Sequence, residues 1–182
     1  MTRGSKGPIW ILFTVLGMLA IVLTACMPAA APTTPEFHSG GGGLHSTAPD
    51  YLTFLRMLLH EGRFEGARIL RSETIALMGR NQIGDLEAGI MTSAQPARSN
   101  DVDFFPGQPL RWGLASMINL QPGPNGRSAG TQSWAGLFNS YFWIDPARRV
   151  TGLIMMQILP FADPRAVRLY GRFERAVYDA VT

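Results

Sequence analysis

Gly130-Thr-Gln-Ser-Trp-Ala-Gly-Leu-Phe-Asn-Ser-Tyr-Phe-Trp-Ile-Asp-Pro-Ala-Arg-Arg-Val-Thr-Gly-Leu-Ile-Met-Met-Gln-Ile158 is the stretch whose reading decides the fold. Gly130–Ala135 and Phe138–Ile144 are aromatic and β-branched, the composition of strands. Asp145-Pro-Ala-Arg148 is a turn, with proline where its fixed φ suits, and Val150–Ile158 returns as a further strand. Upstream, Leu110–Leu120 reads as one apolar strand, ended by the dense turn signal Gln121-Pro-Gly-Pro-Asn-Gly126. Short turns between such strands make an antiparallel meander.

Helical spacing appears on either side of the meander. Thr47-Ala-Pro-Asp50 opens a helix: Thr47 caps, Pro49 fits the first turn and Asp50 reaches back. Tyr51, Leu52, Leu55, Leu58 and Leu59 carry it to about His60, and Gly62 stops it. Ser72-Glu-Thr74 starts a shorter helix through Leu77 or Met78. Residues 82–109, with Pro96, Pro106 and Pro109, are irregular. Asp163-Pro164 caps a C-terminal helix whose buried stripe is Ala166, Leu169, Tyr170, Phe173, Val177 and Tyr178. Arg165, Arg168, Arg172 and Arg175 take its solvated side. Helix, antiparallel strands, then helix is α+β, with helices flanking one or both faces of the sheet.

Composition bounds the chemistry. The chain has 182 residues, 46% of them hydrophobic, enough for one packed domain and no more. The net charge of +3 is too small and too spread for a nucleic-acid footprint. Lys6 is the only lysine; everything after residue 25 carries 14 Arg, no Lys and 13 acids. Schiff-base chemistry, a phosphate-loop lysine and a lysine general base are thereby excluded from that part. A single Cys excludes an internal disulfide framework and a thiolate-rich zinc site. No metal and no cofactor are expected.

Arg3 and Lys6 precede an apolar run, Ile9–Leu23, and no charge follows until Glu36. A basic start, an apolar core and then small residues form the layout of a secretory signal peptide. The core is short for a free-standing span, which needs ~20 apolar residues. It ends Leu23-Thr-Ala-Cys26, similar to a bacterial lipobox, where the peptide is cut before the Cys and the thiol takes lipid. Residues 1–25 are therefore expected to be a lipoprotein signal and Cys26 the attachment to membrane lipid. That places the chain in the cell envelope, outside the cytoplasm. Met27 in place of Asp points, by resemblance to enterobacterial sorting rules, to the outer membrane. Residues 26–37 are a Pro/Ala/Thr tether, and 38–182 form the domain. The alternative is an uncleaved anchor helix with an incidental Cys.

Several constellations are weaker. Ser39-Gly-Gly-Gly-Gly43 suits a linker or a close backbone approach, but its spacing is wrong for a phosphate cradle. His38, His45 and His60 crowd one loop and one helix end, with no i, i+4 pair for a metal. A conventional triad could draw on them with several Ser and Asp, Ser39 and Ser133 included, but all three His lie within one Gly-rich loop and helix end, and no Gly-x-Ser-x-Gly elbow exists. Asp101 and Asp103 could pair as acid and base; two loop aspartates are more often solvated.

One family resemblance unites the chain from about Pro35 onward. Ser39-Gly-Gly-Gly-Gly-Leu-His-Ser-Thr-Ala-Pro-Asp-Tyr-Leu52, then Ile69-Leu-Arg-Ser-Glu-Thr-Ile-Ala-Leu-Met78, then Ser133-Trp-Ala-Gly-Leu-Phe-Asn-Ser-Tyr-Phe-Trp-Ile-Asp-Pro146 and Leu159-Pro-Phe-Ala-Asp-Pro164 resemble the beta-lactamase-related serine hydrolases. The nearest in pattern are class C beta-lactamases, family VIII esterases and penicillin-binding-protein-like esterases. That resemblance implies an incomplete beta-lactamase/transpeptidase-like fold. It also implies that Trp134-Ala135-Gly136 is the third motif of the site, Lys-Thr-Gly in many members and His-x-Gly or Trp-x-Gly in esterases. The backbone N–H of Leu137 would then stand in the oxyanion hole, with Gly136 leaving room for the acyl oxygen.

The first two motifs are missing. Arg3, not Ser, stands three before Lys6, so Ser-x-x-Lys cannot be read. No Tyr or Ser is followed two residues on by Asn. The resemblance therefore implies the C-terminal half of a hydrolase of small esters or β-lactams, inactive alone and completed only by a missing half. The alternative is a truncated lipoprotein with a binding role or none. Without that half, one sheet face around Phe138 and Trp143 is expected to lie open and apolar.

Overall fold

The computed structural model describes residues 44–181, most of the second of two compact units, Met1–Leu44 and His45–Thr182. The leader, Cys26, the tether, His38 and the Ser39–Gly43 run lie outside the described residues. No described helix is long and apolar enough to cross a membrane.

The elements run α1 (Ala48–Leu59), β1 (Arg63–Phe64), β2 (Ala67–Arg68), α2 (Ser72–Met78), β3 (Leu110–Trp112), β4 (Met117–Asn119), β5 (Gln132–Gly136), β6 (Ser140–Asp145), β7 (Val150–Ile154) and α3 (Pro164–Ala180). β1 and β2 form a short ribbon. The other five strands make one sheet in the order β3-β4-β5-β6-β7, each neighbour antiparallel. Spatial order equals chain order, so the fold is the α+β meander with flanking helices that the strand pattern predicts.

Both long helices begin as their sequences dictate. Thr47 Oγ1 accepts from Asp50 N–H at 3.3 Å and donates to Asp50 Oδ2 at 2.7 Å. Asp163 Oδ1 accepts from the N–H groups of Arg165 and Ala166, at 2.8 and 3.3 Å. Each cap satisfies donors that a helix start leaves unpaired.

The helices take opposite faces of the sheet. Side chains alternate along a strand, so Phe142 faces away from Tyr141 and Trp143. Phe142 meets Tyr51 of α1, ring centroids 5.8 Å apart. Tyr141 and Trp143 meet α3: Tyr141 stacks on Tyr170 at 4.5 Å, and Trp143 contacts Phe173 and Tyr178 edge-on or tilted. This is the main core, and Trp143 is 0% exposed in it.

Four expectations are corrected. Leu110–Leu120 is a hairpin, β3 and β4, because the chain turns at Gly113. There the backbone passes so close to Met78 O that a Cβ would sit 2.2 Å from it, while Leu114 N–H donates to the same oxygen at 3.0 Å. The last strand ends at Ile154; beyond it the chain bends to bond the β5–β6 turn, with Ile158 N–H donating to Phe138 O at 3.2 Å. The sheet face at Trp143 is closed, since α3 covers it. Leu169 also departs from its expected place in the buried stripe, at 49% exposed, while Glu174 is buried.

Glu174 is buried because Arg127 is. Arg127 Nε donates to Glu174 Oε1, its Nη1 to Ser133 Oγ at 3.0 Å and its Nη2 to Tyr170 Oη at 2.7 Å. Its guanidinium lies 4.9 Å from the centre of the Phe105 ring. Asn125 Nδ2 donates to Glu174 Oε2 at 2.9 Å. Burial works against the arginine's charge, but Tyr170 and Glu174 beside it outweigh that and hold it protonated. The cluster ties the long β4–β5 connection to α3.

Candidate functional site

The wall read from the sequence is the far end of β5. β4 pairs with β5 only at Ser133 and Gln132, so Trp134, Ala135 and Gly136 run on with β6 alone beside them. Trp134 is half-buried and stands edge-on to Trp112, ring centroids 4.4 Å apart. Gly136 is exposed, and Leu137 and Phe138 in the following turn are 48% and 44% exposed.

Gly136 differs from other glycines of the sheet. Its φ is not left-handed, and an added Cβ would meet nothing nearer than Ser140 Cβ at 3.9 Å. At Gly152 of β7 an added Cβ would sit 2.1 Å from the Trp143 indole. Packing requires glycine at 152; neither packing nor backbone conformation requires it at 136. The Leu137 N–H donates to no group among the described residues. A free backbone donor beside an exposed, uncrowded glycine is an arrangement able to receive a developing oxyanion.

Asn139 makes the turn rigid. It adopts φ 64° and is 0% exposed. Its N–H closes the turn on Gly136 O at 2.9 Å. Its Nδ2 donates to Ile158 O and Pro160 O at 2.9 and 2.8 Å, and its Oδ1 accepts from Tyr141 Oη at 2.7 Å. One side chain thus fastens the wall to the segment after β7. Sequence reasoning missed this residue; Phe-Asn-Ser between two strands was the available signal, since Asn tolerates left-handed turns.

Ser133 is 4% exposed and its Oγ accepts from Arg127, so it braces β5 and is not presented as a nucleophile. His45 and His60 are exposed and flank the twelve-residue helix α1, one before it and one after, so the fold does not bring them together. Asp101 and Asp103 each accept a nearby backbone N–H, of Ser93 at 2.7 Å and of Phe105 at 3.0 Å, as turn acceptors do. Among the described residues no group of His, Cys, Asp or Glu is placed to hold a metal. Two further titratable residues lie on the α3 side of the sheet. Tyr170 is raised by burial to about 12. Asp145 would be raised by burial, but the N–H groups of Ser128 and Arg148 and the Tyr178 hydroxyl together hold it below the usual carboxylate range.

A groove of ≈ 780 Å³ lies at the other end of β5, between Leu58, Met78, Arg80, Gln132 and Arg149. Against the wall lies a tight recess of ≈ 10 Å³, bordered by Phe104, Trp134 and Tyr141.

The fold has known counterparts. Simvastatin synthase (LovD) from Aspergillus terreus, unliganded, superposes with a TM-score of 0.57 at 23% identity, covering 71% of this chain and 33% of that one. A beta-lactamase from Mycobacterium bovis superposes with a TM-score of 0.54 at 18% identity, covering 75% of this chain and 45% of that one. At such identities the likeness concerns the fold. An uncharacterized protein of Mycobacterium tuberculosis is 34% identical over 135 residues, 70% of this chain. That is 31% of the relative, so the chain spans about a third of the length of the curated relatives it matches. The family model described as beta-lactamase matches residues 16–176, most of the sequence. The chain therefore belongs to the beta-lactamase family, with the α+β fold of the related serine hydrolases.

Proposed function

We propose that this chain supplies the oxyanion wall of a serine hydrolase acting on small neutral esters, and that it does not turn over substrate by itself. The observation that carries the reading is Gly136, a glycine that neither φ nor packing requires, next to the unengaged N–H of Leu137. Gly136 is the last residue of β5, where the absence of a side chain leaves the backbone open to close approach.

Covalent catalysis needs an activated nucleophile. The sequence holds neither Ser-x-x-Lys nor Tyr-x-Asn, and an arginine cannot serve as the base because it stays protonated. An oxyanion donor alone stabilises a charge that nothing generates. Esters are favoured over β-lactams because Trp134 stands where many relatives of this pattern carry a Lys or His that reads a substrate carboxylate. In the same reading residues 1–25 are a removed signal and Cys26 is lipidated, which puts the domain at the cell envelope.

The test is labelling and complementation. The purified chain is expected to take no fluorophosphonate or penicillin probe and to hydrolyse neither a chromogenic ester nor a cephalosporin. Mixed with a second chain carrying Ser-x-x-Lys and Tyr-x-Asn, it is expected to support ester hydrolysis that Gly136→Val abolishes. Stoichiometric labelling of the chain alone, lost in Ser133→Ala or Ser39→Ala, would overturn the reading. Mass spectrometry of membrane-extracted protein checks the leader: a free Cys26 with residues 1–25 still attached defeats that part.

A further inference from the structure

Arg165, Arg168, Arg172 and Arg175 are all exposed on α3. At 100° per residue they fall within about a quarter of the helix circumference, and Leu169, 49% exposed, borders that arc about 40° beyond Arg165. Residues 44–181 carry 14 Arg and 12 acids. α3 holds four of those Arg and two of the acids, Glu174 and Asp179, which leaves ten and ten elsewhere. The whole net charge of the described residues therefore sits on this one helix. Glu174 is buried against Arg127, so only Asp179, in the last turn, offsets the row. No ion pair among the described residues engages the four arginines. Arg175 donates to Pro124 O at 2.9 Å, which holds it in line.

We infer that this face of α3 docks on an anionic lipid bilayer. Guanidinium groups pair well with phosphate oxygens. A leucine at the edge of the row suits the boundary between headgroups and acyl chains, as in helices that lie on membranes. A single helical row bordered by an apolar side chain fits that layered surface better than a nucleic-acid groove. The choice of a bilayer also rests on the reading of Cys26 as lipidated: the seventeen residues from Met27 to Gly43 reach at most about 60 Å, which keeps the domain close to a membrane. It does not depend on the hydrolase reading.

The experiment uses the full chain with Cys26→Ser and Ala176→Cys, so that an environment-sensitive fluorophore sits on the exposed row whatever happens at Cys26. The chain is reconstituted in vesicles of phosphatidylcholine alone or of a two-to-one mixture with phosphatidylglycerol. The expected result is a blue shift and quenching by brominated lipid only in the mixed vesicles, lost in high salt. Arg165→Gln, Arg168→Gln and Arg172→Gln together should abolish the response and leave the melting curve unchanged. A label equally wet in both vesicles, or a response that survives the triple substitution, overturns the inference. So does an acidic protein or duplex DNA that binds the row and displaces it from the mixed vesicles. A free Cys26 by mass spectrometry would remove the anchoring argument separately, without altering the fluorescence comparison.

Discussion

The two ends of the central sheet differ in how far the chain itself completes them. On the α3 side, Tyr141, Trp143, Tyr170 and Tyr178 interlock, and the buried Arg127–Glu174 pair has a partner for every charged group described. At the end of β5, Leu137 and Phe138 are nearly half exposed, Gly136 is exposed and uncrowded, and the Leu137 N–H is unengaged among the described residues. Glycine marks both regions for opposite reasons: Gly152 makes room for the Trp143 indole inside the protein, whereas Gly136 makes room for nothing in this chain. Stability belongs to the first region, and our functional reading belongs to the second. Substitutions should therefore separate the two.

The largest effect is expected from Glu174→Ala. It leaves the Arg127 charge buried without its carboxylate, and breaking such a pair costs about 3–5 kcal/mol. Denaturant midpoints measure this. Replacing both partners, Arg127→Leu with Glu174→Met, should recover much of the loss, since an apolar pair of similar volume leaves no orphaned charge. An equal loss in single and double variants would show that the cluster acts through shape alone.

Alkali should attack the same region next. Burial raises Tyr170 to about 12, and it raises Tyr141 and Tyr178 as well, the latter with help from Asp145. An unfolded tyrosine ionises near 10. A raised folded value means that the stabilisation is complete below pH 10 and is lost as pH rises through the folded value. Stability should fall by about 1.4 kcal/mol per pH unit for each such tyrosine between pH 10 and its folded value. Tyrosinate absorbance should then rise together with unfolding and not before it. Asp145 has the opposite sign: its lowered folded value protects above the unfolded carboxylate range and is lost as pH falls through it.

The paired glycines sharpen the contrast. Gly152→Ala drives a methyl into the Trp143 ring and should cost roughly 1–3 kcal/mol. Gly136→Ala should change stability by less than about 0.5 kcal/mol. Equal costs would mean that Gly136 serves the fold after all, which would remove the support for the oxyanion wall. The smallest effect is expected from Leu137→Ser with Phe138→Ser, within about 0.5 kcal/mol of the parent in stability. The same pair should reduce self-association and binding of a dye for exposed apolar surface. If dye binding does not change, the open apolar surface lies elsewhere.

Much of this was legible in the sequence where the rule is local. Thr47 and Asp163 read as caps because a cap needs only its own next few residues. Asp145-Pro-Ala-Arg148 read as a turn for the same reason. The hairpin inside Leu110–Leu120 was hidden because its cause is Met78 O, a backbone atom 35 residues before Gly113. Trp134-Ala-Gly136 could be named as a wall by family pattern, but the brace behind it could not. Asn139 earns its place through Ile158 and Pro160, which no short window contains.

The sequence by itself determined the order of elements, the meander, the family, the absence of a lysine after Lys6 and the arginine row on the last helix. These follow from periodicity, turn chemistry and composition, which are properties of neighbouring residues. Only the tertiary structure decided which residues of the last helix are inside. Periodicity alone put Leu169 in the core and offered no reason to bury Glu174. The fold reversed both, because Arg127, arriving from a connection 47 residues upstream, needed a carboxylate in a place that water does not reach.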